Sequence, residues 1–185
     1  VGCSNISKDP VSIVVNEVPV LPSLSYGSTT VCSGTSVVFS TINVSGLNYQ
    51  WKNNGVSIIG ATTNQYTATS SGNYSLQLTN SNACWAETPE ITVTVNPVPT
   101  APIIDQPNIS SLCSGDSVLL NITEVPNVTY QWYLNNGTVG SNSNEFYAKA
   151  SGTYQVALSN SFNCSSTSTN SINIVVNNKP ILPSV

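Results

Sequence analysis

An all-β fold of two tandem β-sandwiches is what this 185-residue sequence predicts, and three observations predict it. The chain repeats itself at a spacing of about 80 residues, apolar and polar residues alternate along short runs, and turn dipeptides separate those runs. Alternation with period two marks strands with one buried face. Asn-Gly and Ser-Gly pairs mark tight turns, because their residues tolerate positive φ.

The repeat is explicit. Cys32-Ser-Gly-Thr-Ser-Val37 returns as Cys113-Ser-Gly-Asp-Ser-Val118, Tyr49-Gln-Trp51 as Tyr130-Gln-Trp132, Ser71-Gly-Asn-Tyr74 as Ser151-Gly-Thr-Tyr154, and Cys84 as Cys164. Gly2-Cys3-Ser4 with Val11–Val15 and Asn16 matches Cys84 through Asn96, and Lys179–Pro183 matches Val18–Pro22. Residues 1–16 therefore read as the C-terminal strand of a preceding, truncated repeat. Residues 17–97 and 98–178 read as whole repeats, and residues 179–185 as the start of a following one. Without its own domain, the 1–16 strand is expected to be disordered or strand-exchanged. The opening residues carry no signal-peptide pattern, so the chain reads as an interior segment. The boundaries are Asn/Pro stretches, in which proline fixes φ, so the linkers are expected to be stiff and the array extended.

Within each repeat the strands follow from the alternation. Val37 and Phe39 share a face, as do Val118, Leu120 and Ile122; Tyr74, Leu76 and Leu78; Tyr154, Val156 and Leu158; Ile91, Val93 and Val95; and Ile172, Ile174 and Val176. Asn54-Gly55, Asn136-Gly137, Ser71-Gly72 and Ser151-Gly152 supply the turns. About seven short strands in about 80 residues make a sandwich.

Composition narrows the function. Only 6% of residues are charged, the net charge is −4, and there is no His and no Arg among the basic residues Lys8, Lys52, Lys149 and Lys179. Such a chain lacks the footprint of a nucleic-acid binder, the usual general base near neutral pH and the commonest metal ligand. No apolar run approaches the ~20 residues that span a bilayer. The expectation is therefore no enzyme, no cofactor, no metal, no nucleic acid and no membrane insertion.

A Trp on the third strand (Trp51, Trp132) with Gly-x-Tyr before a buried apolar residue (Tyr74, Tyr154) resembles the immunoglobulin core with its tyrosine corner. Leu76 and Val156 stand where the antibody-type second Cys would lie. The set Cys-Ser-Gly-x-Ser-Val, Tyr-Gln-Trp, Ser-Gly-x-Tyr and Asn-Cys is similar to the Ig-like/PKD-like tandem repeats of giant Bacteroidota cell-surface adhesins, above all the SprB-type gliding-motility adhesins and related type IX-secreted proteins. The resemblance implies two immunoglobulin-like sandwiches acting as stalk repeats of an extracellular adhesin. Neighbouring repeats would be its first partners, with a surface polysaccharide or another surface protein beyond them.

For the cysteines, one bridge per repeat at the sandwich rim gives Cys32–Cys84 and Cys113–Cys164, with Cys3 unpaired; a zinc site is the alternative, though without CxxC or His. Trp85 does not recur, since Ser165 takes its place, so it is a candidate ligand contact or packs on a neighbouring domain. Tyr133 and Phe162 are further candidates if the repeats are themselves glycan- or protein-binding modules; an accessory module of a secreted hydrolase is the third alternative. Asp116-Ser117-Val118 resembles a Bacteroidota O-glycosylation signal with Ser117 as acceptor. Asn5, Asn43, Asn73, Asn108, Asn121, Asn127 and Asn136 open Asn-x-Ser/Thr triplets.

Overall fold

A computed structural model describes residue 2 and residues 11–107 and 109–180. Cys3, Asn5 and Asn108 lie outside the described residues. The described chain is all strand and turn, with no helix long and apolar enough to cross a membrane. It divides into two compact units, residues 1–31 with 35–94, and residues 32–34 with 95–185.

The first sandwich is built from β1 (Thr30–Cys32), β2 (Val37–Ser40), β3 (Asn48–Asn53), β4 (Val56–Ser57), β5 (Gln65–Ala68), β6 (Gly72–Thr79), β7 (Trp85–Glu87) and β8 (Ile91–Asn96). One sheet runs β1-β8-β6-β3-β4 with β7 added beside β6, and the other is the pair β2-β5. The second sandwich repeats the plan with β9 (Ser111–Cys113), β10 (Val118–Asn121), β11 (Val128–Leu134), β12 (Gly137–Val139), β13 (Glu145–Ala148), β14 (Gly152–Asn160), β15 (Ser165–Thr167) and β16 (Ile172–Asn177). Its larger sheet runs β12-β11-β14-β16-β9 with β15 beside β14, and its smaller is β10-β13. The β9–β16 pairing is parallel.

Each core forms where the alternation placed it. Val37 and Phe39 are buried while Val38 between them is exposed. Trp51, Tyr74, Trp132 and Tyr154 are all buried. Phe39 stacks on Trp51 with centroids 5.6 Å apart, and Trp132 on Phe146 at 5.7 Å. Burial of an aromatic requires a partner for its polar atom. Trp51 Nε1 donates to Thr63 O (3.0 Å) and Trp132 Nε1 to Ser143 O (2.9 Å). Tyr74 Oη donates to Ser70 O (2.9 Å) and Tyr154 Oη to Ala150 O (2.8 Å), so a tyrosine corner closes each domain. Leu76 sits opposite Trp51 in register, Val156 opposite Trp132, and both are fully buried. The inter-sheet space is thus aliphatic and aromatic where antibody domains place a disulfide.

The Val11–Val15 segment forms no strand and leaves Val11, Ile13, Val14 and Val15 exposed, whereas the counterparts Val93, Ile172 and Ile174 are buried. One expectation changes. The hairpin of the second repeat turns on Asn135-Asn136, with φ of 49° and 67°, rather than on Asn136-Gly137. Asn135 stands where Asn54 does in the first repeat (φ 50°), and asparagine tolerates the left-handed region. Its Oδ1 accepts from Thr153 N at 2.9 Å, as Asn54 Oδ1 does from Asn73 N.

Candidate functional site

The cysteines depart most from expectation. Cys32 is bonded to Cys164, 132 positions away, and Cys84 and Cys113 are free thiols. The pairings Cys32–Cys84 and Cys113–Cys164 are not formed, and the strand register gives the reason. Gly72, which opens β6, lies opposite Val93, so β8 runs past that end to Asn96, whose carbonyl accepts from Ser33 N at 2.8 Å. Cys32 therefore sits at the end of the sheet where β6 begins. Cys84 lies beyond Thr79, where β6 ends: its N–H donates to Asn80 Oδ1 at 3.0 Å. Eight strand residues separate those two ends, about 25 Å at the usual rise, against the 4.4–6.8 Å between Cα atoms that a disulfide allows. In the second sandwich Cys113 is in register with Asn177, past the start of β14, while Cys164 N–H bonds Asn160 Oδ1 (3.1 Å) at its far end. The realised bond has a Cα–Cα distance of 5.6 Å. Residues 32–34 cluster with the second unit, so the bond lies inside that unit although Cys32 belongs to the first repeat by sequence. Among the described residues, no three or more of His, Cys, Asp and Glu come together as a metal site.

The turns that carry Cys84 and Cys164 are alike in detail. Asn80 Nδ2 donates to Glu17 O (2.8 Å), and Asn160 Nδ2 donates to Pro97 O (2.7 Å). In each case the asparagine that organises the turn also holds the chain entering the repeat. Cys84 Sγ lies 3.8 Å from Asn16 O.

Trp85, on β7, is 55% exposed, with Lys52 Nζ 5.8 Å from its ring centroid. Lys52 pairs with Glu87 at 2.7 Å, and Ser75 Oγ donates to the other Glu87 oxygen at 2.6 Å. Burial raises the Glu87 pKa, but the bonds from Lys52 and Ser75 and the Lys52 charge outweigh it and leave the carboxyl below its ordinary range. An exposed indole held by a cation beside a fixed carboxylate is a surface able to stack an apolar ring face and accept hydroxyl hydrogen bonds. Where the first repeat has Lys52 the second has Tyr133, which with Asn136, Gln155 and Thr167 lines a shallow recess of about 180 Å³. Phe162 is exposed in the turn before Cys164, and Ser117 is exposed immediately before β10. The sequence pointed to Trp85 because it is the one tryptophan of the three that does not recur; Lys52 and Glu87 carried no such signal.

One family model matches part of the chain. Residues 99–178 match the family model of the Ig-like domain CHU_C associated. No curated protein matches the sequence. Among solved structures, murine CEACAM1b is similar at 16% identity and TM-score 0.39, over 83% of this chain and all of that one. The insect immune protein hemolin is similar at 15% identity and TM-score 0.41, over 85% of this chain and 46% of that one. SGBP-B of the Bacteroides ovatus mixed-linkage glucan utilization locus, solved in complex with a mixed-linkage heptasaccharide, shares 15% identity at TM-score 0.34, over 85% of this chain and 46% of that one. With the sheets, the buried tryptophans and the tyrosine corners described above, the chain is two immunoglobulin-like β-sandwich domains.

Proposed function

We propose that the chain is a load-bearing stalk or spacer segment of a secreted bacterial cell-surface adhesin, serving surface adhesion and gliding motility. The proposal gives it no catalytic role. The observation that carries it is the bond between Cys32 and Cys164. Tension applied at the two ends of the chain enters this bond directly, so the segment between the cysteines is shielded from it. Disulfides persist in oxidising compartments, which supports an extracellular place. The match of residues 99–178 to the Ig-like domain CHU_C associated supports a bacterial surface setting.

Stretching single molecules by their termini tests the reading. Oxidised chains should extend without releasing the 132-position span, and reduction should add roughly 450 Å at ~3.5 Å per residue. Equal contour lengths before and after reduction would remove the load-bearing role.

A second reading, a glycan- or protein-binding module, rests on Trp85 with Lys52 and Glu87. Retardation in polysaccharide affinity gels that disappears in Trp85→Ala would favour it over the spacer.

A further inference from the structure

Cys84 and Cys113 are the only described cysteines left as thiols, and each is the repeat counterpart of a bonded one: Cys113 of Cys32, and Cys84 of Cys164. The chain therefore holds, in Cys32–Cys164, a bonded example of the pair that Cys113 and Cys84 would make. We propose that Cys113 and Cys84 are the two halves of the same inter-repeat disulfide, each taking a further copy of this repeat as its partner. Every repeat would then bond through its β1-type cysteine to the turn cysteine of the repeat after it.

The surroundings of both thiols match those of the bonded pair. On the turn side, Asn80 holds the Cys84 N–H and the carbonyl of Glu17, as Asn160 holds the Cys164 N–H and the carbonyl of Pro97. On the strand side, Ser114 N donates to Asn177 O (2.7 Å), as Ser33 N does to Asn96 O (2.8 Å). The third match identifies the occupant. Asn96 ends the strand beside which Cys32 and Ser33 lie, and Asn16 is its counterpart one repeat earlier. The Asn16 carbonyl is 3.8 Å from Cys84 Sγ. A repeat whose last strand ended at Asn16 would set its own β1-type cysteine beside that carbonyl, within reach of Cys84. The segment that would form such a strand, Val11–Val15, is exposed, with Val15 at 88%. A sandwich around it would bury this apolar face, as β6 and its neighbours bury Val93.

Bond formation joins two thiols as a disulfide, with two electrons and two protons passing to an oxidant, here oxidised glutathione, which is reduced to two thiols.

The inference is independent of whether the chain serves as a spacer, and its test separates the two. A longer chain is made by joining residues 17–185 after residue 178 of the full sequence, which keeps the repeat in register, with Cys3→Ser throughout. It is refolded in glutathione buffer, alkylated and mapped by mass spectrometry without reduction. The expected map links Cys113 of the first copy to Cys84 of the second, beside Cys32–Cys164 in each copy, and leaves the first Cys84 and the last Cys113 alkylated. Cys84→Ser in the second copy should free the first Cys113, whereas Cys84→Ser in the first copy should change no bond. Alkylation of both junction cysteines, or linkage of the first Cys113 to any other cysteine, overturns the inference. It would leave the stretching behaviour of Cys32–Cys164 as a separate question.

Discussion

At the scale of single residues, the phenol of each tyrosine corner and the carboxylate of Glu87 carry the sharpest expectations. Removing the Tyr74 or Tyr154 hydroxyl leaves a backbone carbonyl, Ser70 O or Ala150 O, without its donor. Tyr74→Phe or Tyr154→Phe should each cost about 1–3 kcal/mol, read as a lowered denaturation midpoint at unchanged slope. Glu87 gives a pH dependence. Its folded pKa lies below the ordinary value that it regains on unfolding. The stability it contributes is therefore fully present above the ordinary carboxylate pKa and is lost as pH falls through the lowered folded one. Thermal midpoints measured from pH 7 down to pH 3 should fall more steeply in the native chain than in Glu87→Gln. Parallel curves would show that the Lys52–Glu87 pair does not couple to folding. The buried tryptophans and tyrosines were legible in the sequence because they recur. Lys52 was not, because its role arises only when β3, β6 and β7 lie side by side and bring Ser75 and Glu87 to it.

At the scale of elements, period-two alternation located the long strands, since a buried face must alternate with a polar one wherever one side meets solvent. The tight turns were less legible. Asn136-Gly137 is the stronger dipeptide, yet the hairpin turns one residue earlier, in register with Asn54-Gly55. That register pairs Leu134 with both Gly137 and Tyr154 across the sheet. The consequence is an inversion of the usual preference. Asn136→Ala forces alanine to φ near 67° and should cost about 1–2 kcal/mol. Gly137, with φ outside the left-handed region, should accept alanine at smaller cost, its nearest new neighbour being the Leu134 carbonyl at 3.3 Å. Urea titration of the two variants decides the order. The short rim strands β7 and β15 share one cause with the cysteine misassignment: spacing along the chain does not say which end of a sheet a residue occupies. Cys32 and Cys84 share a repeat, but all of β6 lies between the positions they hold.

At the scale of the whole molecule, the covalent topology differs from that of two independently closed domains. The 132-position loop closed by Cys32–Cys164 removes chain entropy from the unfolded state worth about 5 kcal/mol in the loop-closure model. Reduction should lower the stability of the chain by an amount of that order, and Cys164→Ser should reproduce the loss without reductant. Denaturant melts at matched pH, with and without reductant, check both. The bond also imposes a schedule. Position 164 is synthesised long after position 32, roughly ten seconds later at ordinary elongation rates. Cys84 is made before Cys164 and lies nearer to Cys32 along the chain, so it is available first. A first domain that folds promptly carries Cys84 to the opposite rim and keeps the early cysteine reduced, so the speed of one sandwich's folding governs the fidelity with which the next one is oxidised.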